Sequence, residues 1–210
     1  MDALRISPKY TSLDWKALDP ENSGDWAKAA DVVRDRLEGR FLQFATNSLR
    51  YKYSGFVVLA IDSLLAETIE QFKAGIIDGT GKSEKLIKRF LRGLQFQPDF
   101  DATARKAFYT DIRCGLLHQA EAKEMWLIRR SQPAMLQRTE AGNGYIIDVK
   151  LFHLAVQASL NDYLVFISES QNLTLRENLW KKMDHICRIR EARGVLYEAE
   201  ESSAQERDAT

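Results

Sequence analysis

Residues 54–75, SGFVVLAIDSLLAETIEQFKAG, decide the architecture. Val57, Leu59, Ala60, Ile61, Leu64, Leu65, Thr68, Ile69 and Phe72 recur at helical intervals, and in the first half they surround much of the circumference. A helix that is apolar nearly all round belongs inside a fold. This stretch therefore predicts a central, well-buried helix over 54–73, with Gly75 placed to end it.

The segments on either side read as its packing partners. Upstream, Asp25 is placed to cap a helix whose inner face is Trp26, Ala29, Ala30, Val33, Leu37, Phe41, Phe44, Ala45 and Leu49. Gly39 is a weak point in it, tolerable at about 1 kcal/mol. Downstream, Ser83 has the character of an N-cap for a short basic helix reaching Arg92, with Leu86, Ile87, Phe90 and Leu91 inward. Pro98 breaks the chain, and a further helix is predicted over 101–112. Residues 124–130 and 145–148 read as a short β-hairpin around a polar loop containing Gly142, Asn143 and Gly144. Two more helices follow, over 149–168 and 174–193. The expected fold is thus mainly all-α: a helical bundle over 25–195 with a small hairpin insertion at about 124–148. Residues 1–24 read as irregular, punctuated by Pro8, Pro20 and Gly24. Residues 196–210 form an acidic tail whose composition predicts disorder.

Bulk composition bounds the function. The 210 residues carry 30 Lys+Arg against 30 Asp+Glu, a formal net charge of zero, so a globally basic nucleic-acid binder is excluded while a local basic patch is not. Two cysteines, Cys114 and Cys187, cannot build a disulfide framework or a zinc ribbon, and three scattered histidines do not resemble a metal-ligand set. No metal or other cofactor is expected. Met1-Asp2-Ala3-Leu4-Arg5 has no apolar signal region, and no stretch reaches eighteen apolar residues, so the expectation is a cytoplasmic protein without a membrane span.

One motif is set aside. Gly79-Thr80-Gly81-Lys82-Ser83 looks like the end of a phosphate-binding P-loop, but Ile76 stands where the leading glycine is required, and the segment follows a helix rather than a strand. A turn between helices accounts for it better.

The stretch that carries chemistry is Tyr109-Thr110-Asp111-Ile112-Arg113-Cys114-Gly115-Leu116-Leu117-His118-Gln119. Arg113 and His118 are separated by four residues, and His118 alone among the histidines has an arginine five to seven positions upstream. On an ideal helix the two side chains lie about 140° apart, so both can border one cleft without stacking on one face. Gly115 is positioned to distort the helix between them. The residues also leave an ordinary reading open, in which Arg113 pairs with Asp111 or Glu121 at the surface and His118 ends a helix or is satisfied in the core.

This stretch resembles the HEPN superfamily, all-α domains with an arginine, four to six intervening residues and a histidine. Asp-Ile-Arg-Cys-Gly-Leu-Leu-His-Gln carries the likeness, with Cys114 standing where that family usually has a polar residue; the upstream segments 55–72 and 78–83 are similar in character, and the resemblance covers about residues 25–190. It implies a metal-independent endoribonuclease working as a homodimer, each protomer giving half of a composite site. Products would be a 2′,3′-cyclic phosphate and a 5′-hydroxyl, in a prokaryotic stress-response, toxin–antitoxin or phage-defence setting with an antitoxin or defence partner. The alternative is a non-catalytic module of the same fold that binds a partner protein or nucleotide.

The two residue types suit that reaction. An imidazole titrates near neutrality, so it takes the proton from a 2′-hydroxyl or returns one to the leaving 5′-oxygen. A guanidinium offers a fixed positive fork to the charge on the phosphorane. Asp111, Cys114 and Gln119 are supporting candidates. Lys82, Lys85, Lys88, Arg89 and Arg92 on the third helix, and Arg129 and Arg130 at the hairpin, are candidates for the RNA backbone, the alternative being a solvated face. Trp126 and Tyr145 either stack on bases or fill the hairpin core. Lys181, Lys182 and the arginines after them read as a solvated helical face.

Overall fold

A computed structural model describes residues 3–123, 126–169 and 172–188, together with the backbone of 191–192 and 195–196. The chain is mostly helical with one small three-stranded sheet. Helix α4 (Gly55–Ala74) is central and packs on α3 (Gln43–Ser48), α5 (Ser83–Phe90), α8 (Val149–Glu169) and α9 (Leu173–Ile186). Val58, Leu59, Leu65, Ala66, Ile69 and Phe72 are its buried apolar side chains. Gly75, at φ 61°, closes it in the left-handed conformation that glycine adopts without a Cβ clash. Val57 and Leu64, expected in the core, instead stand 52% and 42% exposed. One side of the apolar helix is therefore uncovered within the protomer.

Two helices expected to be regular contain π-turns. The upstream helix runs as α2 (Asp25–Leu37), a π-turn over Glu38–Leu42 that includes Gly39, and α3. The helix expected over 101–112 starts when the Asp101 carboxylate caps Ala104 N at 2.7 Å. It continues as α6 (Ala102–Ala107), a π-turn over Phe108–Arg113, and α7 (Cys114–Gln119), ending at Ala120 in the left-handed region. The distortion thus falls before Gly115, not at it. Such single-turn π segments are inserted residues in an otherwise α-helical ladder and recur at functional sites.

The hairpin reading is corrected. Strands β1 (Trp126–Arg129), β2 (Leu136–Arg138) and β3 (Tyr145–Asp148) form a sheet in the order β1-β3-β2. β1 pairs with β3 in parallel, with Trp126 opposite Tyr145, and the true antiparallel hairpin is β2 with β3. A three-residue strand, Leu-Gln-Arg, shows too little alternation to be seen before its partner is known. Ser83 is also corrected: it is the first residue of α5, Lys82 holds the cap position, and the Ser83 hydroxyl is spent elsewhere.

The segment before residue 25 is anchored rather than loose. Thr11 and Asp14 form a capping box for α1 (Ser12–Lys16), and buried Trp15 donates its indole N–H to Asp184 of α9 at 2.7 Å. The last helix stops at Ile186, short of the end expected for it, and Glu191–Ala192 pairs antiparallel with Val195–Leu196 as β4 and β5. The expected acidic tail lies outside the described residues from position 197 on. Among the described residues no helix is long and apolar enough to cross a membrane.

Candidate functional site

Arg113 ends the π-turn and His118 lies in the last turn of α7. Two packing events fix this helical stretch. Phe108 sits in a cluster of rings, stacked on Phe152 at 5.0 Å and edge-on to Trp126 at 6.2 Å, so the small sheet is tied to the start of the π-turn. Beyond His118 the chain turns back at Ala120, and Lys123 N donates to Asp111 O at 2.9 Å. That return passes so close to Gly115 that a Cβ there would meet Glu121 O at 2.4 Å. Glycine is needed for the approach.

Arg113 is not an isolated surface cation. Its Nη2 donates to Glu67 Oε2 of α4 at 2.9 Å, with 18% and 15% of the two side chains exposed. The Ser83 hydroxyl donates to the same carboxylate oxygen, so Glu67 joins α4, α5 and the π-turn at one point. The guanidinium carbon also stands 5.9 Å from the ring centre of Tyr109. Burial, followed by contact with Cys114, holds the Tyr109 phenol above its usual range. The partner is thus Glu67, not the Asp111 or Glu121 of the ordinary surface reading. His118 is exposed, as are Gln119 and Leu117, and Cys114 is half-buried. Arg113 and His118 therefore share one short helical stretch, one braced against α4 and the other in solvent.

Asp111 has another occupation. Its carboxylate accepts from the Thr110 hydroxyl at 2.8 Å and from the Trp126 indole at 3.1 Å, tying β1 to the helix rather than orienting Arg113 or His118. Trp126 and Tyr145 are both buried, 4.8 Å apart between ring centres, and form the core of the small sheet rather than a base platform.

The basic groups divide in the same way. Arg89 is paired with Glu70 of α4 and Lys88 with Glu84, while Lys82 Nζ donates to Asp78 O at 3.2 Å. Lys85 and Arg92 are exposed. Arg130 is spent on the chain before α4: it donates to Leu49 O at 2.6 Å, Tyr51 O at 2.8 Å and Ser54 Oγ at 2.7 Å. Arg129 is exposed, with a bond to Ile128 O at 3.1 Å. Lys182, expected in solvent, is buried and donates to Gln71 Oε1 at 2.8 Å and Ile77 O at 2.9 Å.

A second constellation escaped the sequence. His153 of α8 is fully buried, with Nδ1 2.8 Å from Asp62 Oδ1 of α4 and Nε2 2.9 Å from Thr46 Oγ1 of α3. Burial raises the Asp62 carboxyl above its ordinary value, and the His153 bond opposes that rise. The one available signal was Asp62 itself, an acid within an apolar helix, which needs a buried partner. Glu67 gave the same signal for Arg113.

No protein-family model, curated protein or solved structure matches this chain.

Proposed function

We propose that the protein is a HEPN-like, metal-independent endoribonuclease. The observation that carries this reading is the placement of Arg113 and His118: consecutive turns of one helical stretch hold a braced guanidinium and a solvent-accessible imidazole. In the proposed step, His118 takes the proton of a ribose 2′-hydroxyl and the 2′-oxygen attacks the adjacent phosphorus. The 5′-oxygen leaves with a proton from an imidazolium, and Arg113 offsets the charge of the phosphorane. Glu67 keeps the guanidinium oriented through Nη2, leaving the rest of its donor fork for phosphate.

A second copy of the chain completes the site in this reading. Leu64 lies one helical turn before Glu67, Leu117 one turn after Arg113, and both are exposed, at 42% and 52%. Apolar residues on either flank of a charged pair suit an isologous interface that brings two Arg113–His118 pairs face to face. A toxin–antitoxin or phage-defence role, with a partner protein restraining the nuclease, is part of the same proposal.

One observation favours a second reading. The Glu67 carboxylate partly neutralises Arg113, which suits a non-catalytic module binding a partner protein or nucleotide. Incubation of the purified chain with end-labelled RNA in EDTA separates the two. The nuclease reading expects cleavage to cyclic phosphate and 5′-hydroxyl ends, lost by 10²–10⁴-fold in His118→Ala with unchanged circular dichroism. Cleavage that survives His118→Ala removes the assignment.

A further inference from the structure

The loop between α3 and α4 carries Arg50, Tyr51, Lys52 and Tyr53, and it is held from beneath by a single guanidinium. Arg130, at the end of β1, bonds the carbonyls of Leu49 and Tyr51 and the hydroxyl of Ser54, and Ser54 Oγ donates in turn to Tyr51 O at 3.1 Å. The loop is thus ordered by its backbone, and its side chains face outward: Tyr51 is 56% and Tyr53 82% exposed. Tyr53 also has φ at 69°, in the left-handed region that bulky residues avoid. Neither feature helps folding. The ring returns almost no burial, and its backbone would be more easily made by glycine or asparagine. Outlying conformations kept without a packing reason point toward function.

Beside this loop lies an open cavity of about 490 Å³, within the range of roughly 300–1,000 Å³ common for ligand sites. Lys52, Tyr53 and Phe56 form one wall, and Ile128, Arg129 and Arg130 another. It lies where α4 starts against β1: a Cβ on Gly55 would stand 2.5 Å from Ile128 Cγ2. Two aromatic rings and three cations line it, and among the described residues no carboxylate does. Lys52 Nζ lies 5.0 Å from the centre of the Tyr53 ring, so charge and π-face are presented together.

We propose that this cavity is a binding subsite for single-stranded nucleic acid, in which an unpaired base stacks on Tyr53 and Phe56 and the flanking phosphates meet Lys52 and Arg129. A single strand offers π-faces and phosphates in alternation, which is what the lining presents. A duplex hides its base faces, and an acidic peptide has charge without them. The cavity is separated from Glu67 by twelve residues of α4, about 18 Å along the helix axis. That the strand is RNA rests on the nuclease reading; the stacking subsite itself does not.

The test is fluorescence anisotropy of labelled twelve-nucleotide oligouridylate and oligoadenylate with the full-length His118→Ala chain, which keeps the strand intact. Blunt duplex RNA and polyglutamate serve as competitors. Tyr53→Asn tolerates the left-handed backbone, so the loop is kept while the ring is lost. It is expected to weaken binding about tenfold or more, with Tyr53→Phe retaining it. Lys52→Gln combined with Arg129→Gln is expected to flatten the salt dependence of the logarithm of affinity by about 1.4, or 0.7 per phosphate contact. Unchanged affinity in Tyr53→Asn overturns the subsite. So does competition by duplex or polyglutamate equal to that of the single strand, or absence of binding altogether. Ring-dependent binding by a chain that never cleaves RNA keeps the subsite and removes the nuclease reading. Cleavage with ring-independent binding does the reverse.

Discussion

Glu67 and Arg113 are 46 residues apart in sequence and 2.9 Å apart in space, and this ion pair, shared with the Ser83 hydroxyl, is the joint between the central helix and the arginine–histidine stretch. It holds the Arg113 guanidinium against α4.

Removing one half of the joint leaves the other half partly buried without its main partner. Arg113→Ala is expected to lower stability by about 1–3 kcal/mol, since Glu67 then keeps only the Ser83 bond. Glu67→Gln retains an acceptor for Ser83 and Arg113 and is expected to lower it by about 1 kcal/mol or less. Urea unfolding of Arg113→Ala, Glu67→Ala and the double variant, in which each single change removes the bond, measures the pair. A coupling energy of zero in that cycle contradicts the joint.

Gly115→Ala places a methyl group against the carbonyl of Glu121, which is backbone and cannot rotate away. Overpacking of this kind costs about 1–3 kcal/mol. In a chain of this size each kcal/mol lowers Tm by about 2–4 °C, which calorimetry resolves. An unchanged Tm shows that the return segment is free to shift.

The buried Asp62 gives a pH dependence whose sign follows from its raised carboxyl. The folded state binds this proton more tightly than the unfolded chain, whose carboxyl titrates at about 4. The contribution is fully present below the unfolded value and is lost as pH rises through the folded one. Asp62→Asn keeps an acceptor for His153 and removes the titration. Thermal melting from pH 3.5 upward is expected to show wild-type stability falling relative to Asp62→Asn as pH increases. A constant difference between the two across that range rules out the assignment.

Trp15→Phe keeps most of a buried ring and removes the donor to Asp184. The expected loss is about 1–3 kcal/mol, from a buried carboxylate with one fewer partner. Denaturant unfolding of Trp15→Phe reads this directly. Stability equal to wild type means that residues 3–24 are not anchored through this bond.

Much of the helical frame was legible because it depends on local periodicity. Residues 54–75 announce a central helix by their own pattern, and Gly75 ends it where the pattern stops. The helix over 149–168 was visible for the same reason. The β2 strand was not, since three residues carry almost no alternation and the parallel pairing of β1 with β3 depends on a partner nineteen positions away. The π-turns were also hidden: an inserted residue in a helical ladder changes no composition and only slightly shifts a period.

The candidate site divides along the same line. The sequence by itself determined that Arg113 and His118 lie close together, because five residues of helix cannot separate them far; in Asp62 and Glu67, carboxylates that are costly alone in an apolar helix, it held only an unread sign of buried partners. Only the tertiary structure decided which partners: His153 for one, Arg113 and Ser83 for the other. It also decided that Arg130 orders a loop while Arg129 faces solvent, although the two are neighbours of identical chemistry. The physical reason is that burial and pairing are set by which surfaces meet when helices pack, and those contacts join residues that the chain keeps far apart.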